Sequence, residues 1–141
     1  MSAEASVGEI VFVKRYTRAE IRAHPERLYV FGDNVSTLGR GGQARECRGE
    51  PNVVGIPTKW QPTMDDAAFF TDDDLPKVLP RIKDEFRKLE AHLSAGGIVV
   101  WPADGIGTGL AELPKRAPAI HAYLERCLAH LNRPDAEKEM K

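Results

Sequence analysis

Long apolar runs are missing from this chain of 141 residues, and no stretch approaches the ~18 consecutive apolar residues of a membrane span. Met1 to Glu9 lacks both the basic start and the apolar run of a secretory signal, so a cytoplasmic protein without a membrane partner is expected. Cysteine is scarce: Cys47 and Cys127 stand 80 positions apart with no CxxC pair, which fits free thiols in a reducing compartment rather than a disulfide framework. His24, His92, His121 and His130 are scattered without HxH or HExxH spacing, and no metal is expected. An excess of one charge is lacking too. With 20 basic against 21 acidic residues, no whole-molecule field draws in a polyanion, and general nucleic-acid binding is not expected.

What is present suits a folded domain. Hydrophobic residues make up 42% and charged residues 29%, enough to build a core, and the length fits one domain over 1–141 with a charged tail from about residue 134 expected to fray. Short β-branched runs alternate with helical patterns, which predicts an α/β domain with a mainly parallel sheet. Strands are expected at Ile10–Val13, Leu28–Phe31, Asn52–Ile56 and Ile98–Trp101. Thr17 is placed to cap a helix running to Ala23, and Gln43–Arg48 forms a short helix. Apolar positions 75, 79, 82, 86, 89 and 93 step by three and four, predicting one amphipathic helix that Pro80 delays or kinks. Leu113, Ala117, Ile120, Leu124 and Leu131 predict a last helix.

Three strands end in unusual loops. The first is Gly32-Asp33-Asn34 leading to Gly39-Arg40-Gly41-Gly42, the second Pro57-Thr58-Lys59, the third Pro102-Ala103-Asp104-Gly105-Ile106-Gly107-Thr108-Gly109. Carboxyl ends of parallel strands share one edge, so these loops should line one crevice. Glycine lets backbone N–H groups approach a phosphate, and two such loops face to face suit a diphosphate. Neither GxxxxGK[ST] nor GxGxxG is present, which argues against a Walker-type or Rossmann-type nucleotide site.

The pattern Asn34-x4-Gly39-x-Gly41-Gly42, followed by Ile98-Val-Val-Trp-Pro-Ala-Asp-Gly-Ile-Gly-Thr-Gly109 and a helix, resembles the macrodomain family, which binds ADP-ribose. The resemblance spans roughly residues 28 to 131. It implies a three-layer α/β/α fold with a mixed, mainly parallel sheet. It also implies that Asn34 bonds the distal ribose, that Gly41 and Gly42, in the loop begun by the ligand-binding Gly39, approach it and the diphosphate, and that Gly105, Gly107, Thr108 and Gly109 wrap the diphosphate. Asp33, Thr58 and Ile106 complete the implied ligand lining. Ile56-Pro57-Thr58-Lys59 is similar to the strand end of macrodomains that strip ADP-ribose from DNA, and the lysine position is similar to that of terminal ADP-ribose protein glycohydrolases. This makes Lys59 the main catalytic candidate, acting on the anomeric carbon. A lysine amine in a dry or cationic site becomes nucleophilic.

The sequence departs from the family at several places. Gln43-Ala44 stands where hydrolytic relatives carry an aspartate. Ala111 occupies the place of the aspartate after the last glycine loop, with Glu112 adjacent; Glu112 either handles a proton or favours the start of a helix. Asp104 stands at a usually apolar place, where it acts on the ribose or repels phosphate. The family's adenine-binding Gly-Asp-Ile is replaced around Lys14 to Arg18. Trp60, Phe69 and Phe70 either stack on a base or pack as lids, and Arg40 either pairs with phosphate or is solvated. The resemblance implies an ADP-ribosyl glycohydrolase acting on a modified nucleic acid or protein without a cofactor; a non-catalytic binder of ADP-ribose or an NAD-derived nucleotide is the alternative. Oligomeric state stays open.

Overall fold

Alternating β-branched and amphipathic segments produce alternating strands and helices in the computed structural model, which describes residues 8–39 and 41–132. In chain order these are β1 (Glu9–Val13), α1 (Arg18–Ala23), β2 (Leu28–Asn34), α2 (Ala44–Cys47), β3 (Val53–Lys59), α3 (Leu75–Ser94), β4 (Ile98–Pro102), α4 (Leu113–Arg116) and α5 (Pro118–Leu131). Arg40 and the charged tail after Pro134 lie outside the described residues.

The strands form one sheet in the order β1-β4-β2-β3, and every adjacent pair is parallel. The sheet is therefore parallel rather than mixed among the described residues. The antiparallel pairing found is an isolated bridge between Lys59 and Phe69. Side chains alternate along β2 as a strand requires: Val30 joins a core with α3 and α5 on one face, while Tyr29 and Phe31 join a second core with α1 and α2 on the other. β4 is buried at Val99, Val100, Trp101 and Pro102 because it has a strand on each side and helices on both faces.

Local chemistry explains most boundaries. Thr17 caps α1 reciprocally with Glu20: each backbone N–H donates to the other's side chain at 3.1 Å, the kind of cap worth about 1 kcal/mol. α3 begins at Leu75 and runs through Pro80 without a late start. Pro80 lies deep enough in the helix to forfeit one backbone bond, and burial of Val78, Ile82, Phe86 and Leu89 outweighs that loss. The expected single last helix is two. Ala117 has φ −145° and ψ 67°, because the ring of Pro118 excludes the helical region for the residue before it. No helix among the described residues is long and apolar enough to cross a membrane.

β2 and β3 run further than their apolar residues indicate. β2 continues through Gly32, Asp33 and Asn34, and β3 through Pro57, Thr58 and Lys59. Pro57 is tolerated because β3 is an edge strand. Asp33 pairs with Pro57 and Asn34 with Lys59, so β3 carries one extra residue, Thr58, at the strand end. Such a bulge re-aims the neighbouring side chains, here beside the loops that matter.

Candidate functional site

The loop after β2 leads to α2 on one face of the sheet, and the loop after β4 leads to α4 and α5 on the other. Because they diverge, a crevice of about 210 Å³ opens over the carboxyl ends of β2 and β4. It gathers residues from all three loops: Asp33, Asn34, Gly39, Gly41 and Gly42; Thr58 and Lys59; and the run Gly105 to Ala111. The two glycine loops face one another closely, since a Cβ on Gly41 would lie 3.1 Å from Cδ1 of Leu110.

The loop after β4 needs glycine at one position above all. Gly107 has φ +75°, and a Cβ there would lie 2.9 Å from Leu113 Cδ2 and 3.2 Å from Thr58 Cγ2. Its carbonyl accepts the Leu113 N–H at 2.8 Å, fastening the loop to the start of α4. Thr58 donates its hydroxyl to the Asp33 carbonyl at 3.1 Å and is buried, so it ties β3 to β2 beneath this loop. Thr108 donates its hydroxyl to the Asp104 carbonyl at 3.0 Å. Among the described residues, the N–H groups of Ile106, Gly107, Thr108, Gly109, Leu110 and Ala111 donate to no protein acceptor. All six residues line the crevice, and a run of unspent backbone donors is what an anion can satisfy.

The opposite loop is held by Arg48. Its guanidinium meets Asp33 at 2.6 Å (Nη2 to Oδ1) and 3.3 Å (Nη1 to Oδ2), and it also donates to the carbonyls of Thr37, Leu38 and Gly39. Asn34 works on the same loop: Nδ2 donates to the Leu38 carbonyl at 2.7 Å, while Oδ1 accepts from the Ser36 hydroxyl and the Leu38 N–H. Asp33 and Asn34 therefore line the crevice but spend their side chains on shaping the glycine loop. Gln43, also in the lining, exchanges two bonds with the Tyr16 backbone and ties the loop after β1 to α2. Arg48 is a crevice residue that the sequence did not single out. Its partners lie 9 to 15 positions upstream, and nothing local marks it.

Lys59, at the end of β3, is buried and lines the crevice. Its Nζ donates to the Thr63 carbonyl at 2.7 Å and lies 4.3 Å from the centre of the Phe69 ring. The Arg116 guanidinium lies 3.7 Å from the same ring centre, so two cations share one aromatic. Burial lowers the proton affinity of Lys59 below that of an ordinary lysine; Arg116 adds to this and Glu112 opposes it.

The two candidate carboxylates are not in the crevice lining. Asp104 sits exposed on the turn after β4. Glu112 has the left-handed φ of 49° and accepts from Arg116 Nε at 2.9 Å, a bond that holds its carboxyl below the usual range and hence ionised. Arg116 also reaches Asp66 at 3.2 Å. The aromatics are structural lids: Phe69 and Phe70 are buried, and Trp60 stands edge-on to Phe70 while donating its indole N–H to Asp74. Burial pushes the Cys47 thiol up to about 12, and both cysteines are free. Among the described residues, no group of three His, Cys, Asp or Glu side chains could hold a metal ion.

A family model described as a family of unknown function, DUF7831, matches residues 11–127, and the chain belongs to that family. No curated protein and no solved structure matches the chain.

Proposed function

We propose that the protein binds ADP-ribose in a macrodomain-like manner and hydrolyses its glycosidic link to a modified macromolecule. The observation that carries this reading is the run Ile106 to Ala111, whose N–H groups are unspent among the described residues and whose residues line the same crevice as Gly41, Gly42 and Lys59. Backbone donors fixed before the ligand arrives suit a diphosphate, and they need no net charge on the protein. The crevice volume of about 210 Å³ falls short of the ~300–1,000 Å³ common for whole ligands. It fits the diphosphate and distal ribose, with the adenosine lying over the rim, in keeping with the absence of the adenine-reading motif of macrodomains.

In this reading Lys59 supplies the reacting group. Its neutral Nζ bonds to the anomeric carbon as the bond to the attached group breaks, and the amine proton passes to that leaving group. Water then cleaves the new carbon–nitrogen bond and returns the amine. A lowered proton affinity favours the neutral form that attacks. Glu112, ionised and clamped by Arg116, acts as a fixed negative charge and not as an acid. Replacing Lys59 with Ala should abolish ADP-ribose release from modified DNA or protein while calorimetric binding of free ADP-ribose persists. Undiminished turnover would remove Lys59 from the mechanism.

One observation favours a non-catalytic binder instead. The carboxylate in the lining, Asp33, is held by Arg48, and neither Asp104 nor Glu112 lines the crevice. Tight binding of ADP-ribose with no turnover on either kind of substrate would select this reading.

A further inference from the structure

Four large apolar residues among those described are exposed: Phe12, Leu38, Met64 and Leu110. Two of them, Leu38 and Leu110 at 60 and 61% exposure, line one crevice, and a third, Met64 at 54%, stands beside Lys59 of the same crevice. Leu38 and Leu110 line it, one from each glycine loop, and Met64 brings its Sδ to 3.8 Å from Lys59 Nζ. Apolar side chains gathered around a polar cleft and left open to water mark a surface that another molecule covers.

The charge beside this collar says what kind of molecule. Met64 is followed directly by Asp65 and Asp66, and the segment 61–74 holds five aspartates and no basic residue in a chain whose net charge is only −1. Asp66 is paired with Arg116 yet its side chain remains 95% exposed, and among the described residues the Asp65 carboxylate is met by the Thr63 hydroxyl alone, at 3.4 Å. At this end Asp65, Asp66 and Glu112 outnumber the cations Lys59 and Arg116, so a polyanion would meet more negative than positive charge, whereas a cationic segment would be drawn to the exposed carboxylates.

We propose that the mouth of the crevice docks a basic protein segment bearing an apolar side chain, so that the macromolecule presented to Lys59 is a protein and not a nucleic acid. The proposal rests on the ADP-ribose reading of the crevice for what the segment carries, but the docking surface stands on Leu38, Met64, Leu110 and the adjoining aspartates. The apolar side chain fits between the two leucines and Met64, and flanking Lys or Arg residues face Asp65 and Asp66.

The test compares four probes on the full chain: free ADP-ribose, a Lys- and Leu-rich peptide, the same peptide carrying ADP-ribose, and a single-stranded oligonucleotide carrying ADP-ribose. The modified peptide should bind at least about tenfold more tightly than free ADP-ribose, and the advantage should shrink as added salt brings the Debye length below about 10 Å. Met64→Ser combined with Asp65→Asn should erase most of that advantage while leaving the affinity for free ADP-ribose unchanged. A modified oligonucleotide that binds as well as the modified peptide, or better, overturns the proposal. The unmodified peptide separates the two readings. If its addition shifts the methyl NMR signals of Leu38, Met64 and Leu110 while free ADP-ribose has no effect, the docking surface stands and the ADP-ribose reading falls. If no probe moves those methyls, the docking surface falls.

Discussion

Asp33 and Arg48 form a two-pronged pair across the floor of the first glycine loop, with guanidinium nitrogens 2.6 and 3.3 Å from the two carboxylate oxygens. Fifteen positions separate them in sequence, and the same guanidinium gathers three loop carbonyls. The shape of one wall of the crevice therefore depends on a single side chain that need not touch the ligand.

Replacing Arg48 with Ala leaves the buried Asp33 carboxylate without its cation and frees the loop carbonyls. Removing one partner of a buried pair costs about 3–5 kcal/mol, and the partial exposure of Arg48 places the expected loss near the lower end. Arg48→Lys should recover little, because an ammonium cannot span both carboxylate oxygens and the carbonyls together. Urea denaturation of the three proteins reads this directly; equal midpoints would show that the pair carries no stability.

Gly107 and Gly109 should respond differently to alanine. At Gly107 the positive φ and the contacts to Leu113 predict a loss of about 1–2 kcal/mol, the usual cost of the left-handed conformation, with displacement of the loop. At Gly109 nothing lies within 4 Å of an added Cβ, and stability should stay within about 0.5 kcal/mol of the parent. Thermal melts of both variants decide it, and equal losses at the two positions would contradict the assigned role of Gly107.

The lysine and its two charged neighbours predict opposite shifts. Removing the Arg116 cation takes away a charge that lowers the proton affinity of Lys59 and frees Glu112 to raise it, so Arg116→Gln should move the Lys59 titration upward. Glu112→Gln removes the charge that favours the ammonium and should move it downward. NMR titration of isotopically methylated lysines reports both, and any rising limb of turnover with pH should follow the same two directions. Shifts of one sign in both variants would mean that Lys59 does not sense this pair.

Much of the fold is legible in the sequence because periodicity states it: the runs around Val11, Val30, Val54 and Val99 become the four strands, and the 3.6-residue spacing through Ile82 and Leu89 becomes α3. Three features escape local pattern. Gly32, Asp33 and Pro57 are poor strand formers, and β2 and β3 extend through them because each strand holds the other. The last helix breaks at Pro118, where the apolar spacing carries on across a backbone that cannot. Gathering of the glycine loops and Lys59 follows from the parallel order of the strands. The duties of Arg48 and Arg116 are set by partners distant in sequence, and a charged side chain carries no local sign of which long-range pair it will enter.

Calorimetric titration of the purified chain with free ADP-ribose tests the central claim most directly. The account predicts saturable binding with one site per chain, competed by ADP and weakened at least about tenfold by Gly107→Ala, which displaces the loop bearing the unspent N–H donors. No heat of binding, or binding that Gly107→Ala leaves unchanged, would contradict it.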